Sequence, residues 1–228
     1  MTSPTEELQR GYNFISAETT AINNRITENN VYKYRQDENM TKLAEKSHDL
    51  EDRSRRDNLL FFGIAENDNS IETWQDCEKK VLKTVNEVIF AGTDATCASY
   101  QIARAHRLGM YKTDKIRPII VKFENHKIKH TILELSREYN KGKGRDDPTR
   151  VPISEDYCKN TQEIRKQLLM KLQYAKEACT AITGGFLKYK HLIVIYGEHE
   201  GALRKAFSLD IIENNPKWYL PKTAPKTV

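Results

Sequence analysis

The 228-residue chain is 30% charged and 38% hydrophobic, too polar for one compact core to use all of it, so small domains joined to an extended charged segment are expected. No apolar run approaches the roughly 20 residues that cross a membrane, and MTSPTEELQR lacks the basic-then-apolar layout of a signal peptide. Four widely spaced cysteines (Cys77, Cys97, Cys158, Cys179) form no CxxC pair, which excludes a zinc ribbon and points to free thiols in a soluble intracellular protein. Net charge is +5, unevenly placed: residues 1–57 carry nine basic and eleven acidic groups, and the remainder carries 28 and 21. The positive excess therefore sits in the part expected to be globular, where it can steer a polyanion.

A seven-residue repeat opens the chain. Leu8, Ile15, Ile22, Asn29, Gln36, Leu43 and Leu50 form one series; Tyr12, Thr19, Ile26, Lys33, Met40 and Ser47 form the other. The step of four and return of three make the first series d and the second a. Neither Pro nor Gly interrupts residues 12–57. So polar a helix has little to hold it alone, and self-association accounts for it better. The bland alternative is a partly disordered tail. Isoleucine at both a (Ile26) and d (Ile15, Ile22) favours more than two strands. The expected seam is Leu8, Ile15, Ile22, Ile26, Met40, Leu43 and Leu50, polar in the middle at Asn29, Lys33 and Gln36.

After Arg56 the pattern changes. Asn58–Ile64 reads as a strand, with Leu59, Phe61 and Ile64 inward and Leu60 and Phe62 on the surface. Helical spacing follows from Ile71 to Phe90 (Ile71, Trp74, Cys77, Val81, Val85, Val88, Ile89), closed by Gly92 and Thr93. Gln101–Arg107 alternates Ile102, Arg104 and His106 against Ala103, Ala105 and Arg107. Pro118–Phe123 is a clear strand with Ile119, Val121 and Phe123 inward. Lys127–Tyr139 is an amphipathic helix, and Arg150–Ser154 a short last strand. The order β-α-β-β-α-β is that of ferredoxin-like folds, RNA-recognition modules among them. A third unit has a helix over Lys159–Thr180, a break at Gly184–Gly185, a hairpin of Phe186–Lys190 and His191–Tyr196, and a closing helix over Ala202–Ile212. The expected class is α+β: a coiled coil over 1–56, an RRM-like domain over 57–154, a small α+β C-terminal domain over 155–220 and a tail over 221–228.

The sequence holds no GxxxxGK[ST], HExxH or GxSxG motif, and its six histidines show no ligand spacing. No catalysis, metal or cofactor is expected. KGKGRDD has no strand-to-helix setting and reads as a basic loop. RNA-recognition modules stack bases on aromatics of their two central strands, and here Pro118 and Ile120 occupy the outward places of the second. Phe62 is the aromatic left to stack, unless it packs beneath a neighbouring segment. Affinity then rests on charge: Arg104 and Arg107 around His106, Lys141, Lys143 and Arg145 in the loop, Arg165 and Lys166 on the third unit's helix. A solvated surface of scattered charges is the plain alternative. Arg53–Arg56 has a further reading as a nuclear-localisation patch.

RRDNLLFFGIAE, ETWQDCEKKV, IARAHRLG, RPIIVKF and VPISEDY followed by EIRKQL, in this order after a heptad segment, resemble the first-open-reading-frame protein of LINE-type non-LTR retrotransposons. The resemblance implies a homotrimeric coiled coil, a non-standard RNA-recognition domain and a C-terminal domain that together coat single-stranded element RNA. It also implies chaperone activity on RNA and single-stranded DNA, and a cytoplasmic ribonucleoprotein particle. By position, Arg137 in ELSREYN and Arg165 in QEIRKQL match arginines that such proteins use for RNA. The chain lacks the CCHC knuckle of some related elements. The rival class is a coiled-coil adaptor whose ferredoxin-like domain binds protein.

Overall fold

A computed structural model describes residues 3–67, 72–144, 146–197 and 203–220. It is a mixed α+β protein that falls into two compact units, Met1–Leu50 and Glu51–Val228. Among the described residues no helix is long and apolar enough to cross a membrane.

The described residues of the first unit are helical from Pro4 onward. α1 runs from Pro4 to Arg55, with Glu6 and Glu7 in its first turn and Arg53 and Arg55 in its last, each sign matching the helix dipole. Within the single chain the heptad positions stay bare: Leu8 is 75% exposed, Ile22 and Ile26 51%, and Leu43 63%.

The second unit holds the last turn of α1 and two antiparallel sheets. The first has strand order β2-β3-β1-β4, built from β1 (Asn58–Phe61), β2 (Ile102–Arg107), β3 (Ile119–Phe123) and β4 (Ile153–Glu155). Leu59, Phe61, Ile119, Val121 and Phe123 are buried as alternation requires, against α2 (Trp74–Thr84) and α3 (His126–Tyr139). Thr73 starts α2 with a reciprocal capping box to Asp76, and a π-helical turn, Val85–Ile89, extends it.

Several details differ from the pattern-based expectation. β1 stops at Phe61 because the chain turns at Gly63 (φ 75°), so Ile64 leaves the strand yet still packs on the core. Trp74, at the solvent-facing start of α2, is 56% exposed rather than part of its buried stripe. A bulge between Ile102 and Arg104 shifts β2 by one residue. Ile102 therefore faces the core with Ala105 and Arg107, whereas Arg104 and His106 face outward. The last strand is Ile153–Glu155, displaced toward Asp156 from the expected Arg150–Ser154.

The second sheet has order β5-β6-β7, with β5 at Ile182–Lys188, β6 at His191–Tyr196 and β7 at Leu203–Phe207. α4 (Lys159–Ala178) lays Leu168, Leu172 and Ala175 on it, and Phe207 meets Trp218 edge-on at 5.0 Å. Gly184 and Gly185 do not break the chain; they lie inside β5. A Cβ on Gly185 would come within 2.8 Å of the Ile193 carbonyl and of Leu172, so only glycine lets α4 approach this closely. The expected closing helix is instead β7 followed by a short α5 (Leu209–Glu213), because pairing with β6 wins over the helix preference of Leu, Arg, Lys and Ala. Ile71, Ala202 and the 221–228 tail lie outside the described residues.

Candidate nucleic-acid interface

The bulge decides what the open face of the first sheet presents. Arg104 sits opposite Lys122 and His106 opposite Ile120, while Asn58 pairs with Lys122 from the other side. These five residues and Ser54 line a cavity of about 190 Å3. Arg104 Nε lies 3.5 Å from His106 Nδ1, and burial together with the charge of Arg104 lowers the imidazole's pKa, which favours the neutral ring. Leu60 and Ile120 hold the aromatic places of the two central strands. The two central strands offer no stacking ring, and the ring on this face is the His106 imidazole of β2.

A second recess, about 420 Å3, opens between the end of β1, β4 and the last turn of α3. Phe62, Arg137 and Arg150 line it with Pro152 and Ser154. Phe62 is 39% exposed and is fixed by its backbone N–H, which donates to the Pro152 carbonyl at 3.0 Å. Asn140 pins the loop to α3: its Nδ2 donates to the Val151 carbonyl at 2.7 Å and its Oδ1 accepts from the Val151 N–H at 3.0 Å. Arg150 Nε is buried and makes no hydrogen bond among the described residues. The aromatic expected to stack thus lies beside two arginines.

Glu155 extends this cluster. It accepts from Lys129 Nζ at 2.9 Å and from the Tyr157 hydroxyl at 2.6 Å, and the exposed Arg137 guanidinium stands 4.0 Å away. These donors outweigh the burial that would raise the carboxyl pKa and hold it low. Burial, followed by the Glu155 bond, pushes the Tyr157 phenol well up, so it remains a neutral donor. The Arg165 guanidinium lies 4.5 Å over the Tyr157 ring, and its Nη1 donates to the Tyr189 carbonyl at 2.6 Å. Arg137 of the first sheet's domain and Arg165 of α4 are therefore linked through Glu155 and Tyr157. Lys166 beside Arg165 is exposed. Asp156 does not pair with Arg165; Arg55 holds it with two bonds of 3.1 Å.

The other candidates divide. Lys141 is exposed and pairs with Glu138 at 3.2 Å, and Lys143 lies over the Tyr139 ring at 3.2 Å. Arg145 lies outside the described residues. Arg107 is not a surface group. Its side chain is 3% exposed, and its five N–H bonds go to Glu72, to the carbonyls of Ile64 and Ala65, and to Arg117. It ties down the segment after β1 and has no donor left for a phosphate. Pattern reasoning passed over Tyr157, Tyr189 and Arg150. Aromatics within RNA-recognition modules are sought on strands, and these three lie in loops.

No protein-family model matches the chain, and no curated protein matches it by sequence. Among the described residues no group of His, Cys, Asp and Glu could hold a metal ion.

Proposed function

We propose that the protein is an oligomeric single-stranded RNA-binding protein and nucleic-acid chaperone, a packaging component of a retrotransposon ribonucleoprotein particle. The observation that carries this reading is the linkage of Arg137 and Arg165 through Glu155 and Tyr157, with Phe62 and Arg150 beside Arg137. Guanidinium planes next to aromatic rings suit single strands, whose bases stack and whose phosphates take planar, forked donors. The strand order β2-β3-β1-β4, with two helices behind, supports an RNA-recognition-type, ferredoxin-like domain. Apolar Leu60 and Ile120 on the central strands shift binding from the middle of the sheet toward its β4 edge and α4. The bare heptad face of α1 supports assembly, with three chains favoured by isoleucine at both core positions.

Filter binding of the purified chain to unstructured RNA over a salt series tests the reading. Log affinity should fall linearly with log salt, at about −0.7 per phosphate contacted. The protein should also speed annealing and strand exchange without ATP. Failure to bind RNA at low salt overturns it and leaves the coiled-coil adaptor, a reading favoured by the missing stacking ring on the central strands.

A further inference from the structure

The second sheet has a face that the interface above does not use. On its inner side Leu192, Val194 and Tyr196 pack toward α4, so His191, Ile193 and Ile195 point the other way. Register places Phe186 opposite Ile193, Lys188 opposite His191, and Arg204 opposite Ile195. Phe186 is 46% exposed, Ile193 and Ile195 are half-buried, and Lys188, His191 and Arg204 are exposed. β5, β6 and β7 contain no Asp or Glu at all. Within the described strands the face is thus an apolar strip flanked by Lys188 and Arg204 and by no carboxylate.

Its shape matters as much as its charge. Gly184 precedes Phe186 by two residues and shares its face, leaving a step beside the ring. A Cβ there would meet nothing closer than Ile195 Cδ1 at 3.7 Å, so the glycine is not required by packing. That separates it from Gly185, which α4 does require. An exposed ring beside an open step, with cations along two sides, has the features of a stacking platform for a flexible polyanion. An anionic protein partner would find no hydrogen-bonding side chains across Phe186, Ile193 and Ile195, whereas a base needs only the ring's face.

We propose that the open face of β5-β6-β7 is a second single-strand RNA platform, on which Phe186 stacks a base over the step at Gly184 while Lys188 and Arg204 take the flanking phosphates. The proposal rests on the RNA-binding reading and extends the bound strand beyond Arg165 onto the C-terminal sheet.

The test uses the full chain and a fluorescein-labelled oligo(U). Phe186→Ala should weaken binding about 5- to 150-fold, the span found for losing one base–aromatic stack, and Phe186→Trp should restore it. Gly184→Leu should weaken binding by filling the step, with melting unchanged. Ultraviolet cross-linking to oligo(U), read by peptide mass, should label the segment that contains Phe186. The platform is overturned if wild type binds and Phe186→Ala binds equally well without a cross-link there. It is equally overturned if Phe186→Ala leaves affinity unchanged but alters the sedimenting mass, which would make the face a contact between copies. Wild type failing to bind oligo(U) would instead remove the parent reading.

Discussion

Asp52, near the end of α1, caps a helix whose N-cap residue lies 106 residues later in the chain: its Oδ1 accepts the backbone N–H of Cys158 at 2.8 Å. Cys158 is the N-cap of α4 and offers no side-chain cap of its own. Asp52 takes over that role, also accepting from the Thr161 hydroxyl at 2.5 Å and the Tyr189 hydroxyl at 2.8 Å. An acid at a helix N-terminus satisfies orphan donors and complements the dipole. Here it also ties α1 to α4 and to the turn between β5 and β6. Asp52→Ala leaves three donors without their acceptor and should cost about 2–4 kcal/mol in urea unfolding. Asp52→Asn should cost less. An unchanged midpoint for Asp52→Ala would mean that water replaces the carboxylate.

Glu72 and Arg107 predict an acid limb. Burial alone would raise the Glu72 pKa, but hydrogen bonds from Arg107 and Lys80 outweigh it and bring it from 4.5 to about 2. A carboxyl depressed in the folded state stabilises fully above its unfolded pKa and loses that contribution as pH falls through the folded one. The contribution, about 3 kcal/mol, should be complete above about pH 5 and decline toward pH 2. Asp52 is lowered as well, burial again being outweighed, by its bonds from Thr161, Cys158 and Tyr189, and adds in the same direction. Unfolding free energies of wild type and Glu72→Gln should therefore converge as pH falls from about 5 toward about 2. A constant gap would mean the pair carries no proton linkage.

Arg104 and Arg107, two residues of β2, should separate by assay. Arg107→Ala leaves the buried Glu72 with Lys80 as its remaining ion-pair partner, beside the Asn67 N–H, and should cost about 3–5 kcal/mol of stability. Arg104→Ala should leave melting within about 2 °C, since a surface change of this kind stays within about 0.5 kcal/mol, and weaken RNA binding. The alternation of β2 already places the two arginines on opposite faces. What local pattern does not carry is the partner: Glu72 lies 35 residues away, and only the fold brings it in. The bulge at Ala103 is hidden for the same reason, since it is set by pairing with β3 and not by the residues of β2. By contrast, Leu59, Phe61, Ile119, Val121 and Phe123 were legible because alternation alone decides which way they point. Arg137 and Arg165 could be named singly, but the Glu155–Tyr157 link between them is visible only in three dimensions.

Adjacent glycines in β5 make a sharper contrast. Gly185→Ala places a methyl against the Ile193 carbonyl and Leu172, and should cost about 1–3 kcal/mol as an overpacked contact. Gly184→Ala makes an ordinary contact with Ile195 Cδ1 at 3.7 Å and should change stability by less than about 0.5 kcal/mol. Equal thermal shifts for the two variants would show that α4 yields at Leu172.

The heptad face of α1 carries the last prediction. Over 52 residues the helix buries only Asp52, and that residue serves α4. A helix in water is sustained by burying one face, and this one offers Ile15, Ile22, Ile26 and Leu43, all more than half exposed in the single chain. A second and a third copy would supply that burial, and isoleucine at both a and d fits the wider core of a trimer better than that of a dimer. Asn29, Lys33 and Gln36 interrupt the seam with polar layers, which cost stability while fixing register. Sedimentation should find a trimer for the full chain and a monomer for residues 51–228. Ile22→Asp or Ile26→Asp, placing a charge in the apolar layers, should lower the assembled fraction and the helical circular dichroism together. Lys33→Ile should raise both. A monomeric full chain that keeps its helicity would mean that α1 stands without partners, and the seam would then have no role in assembly.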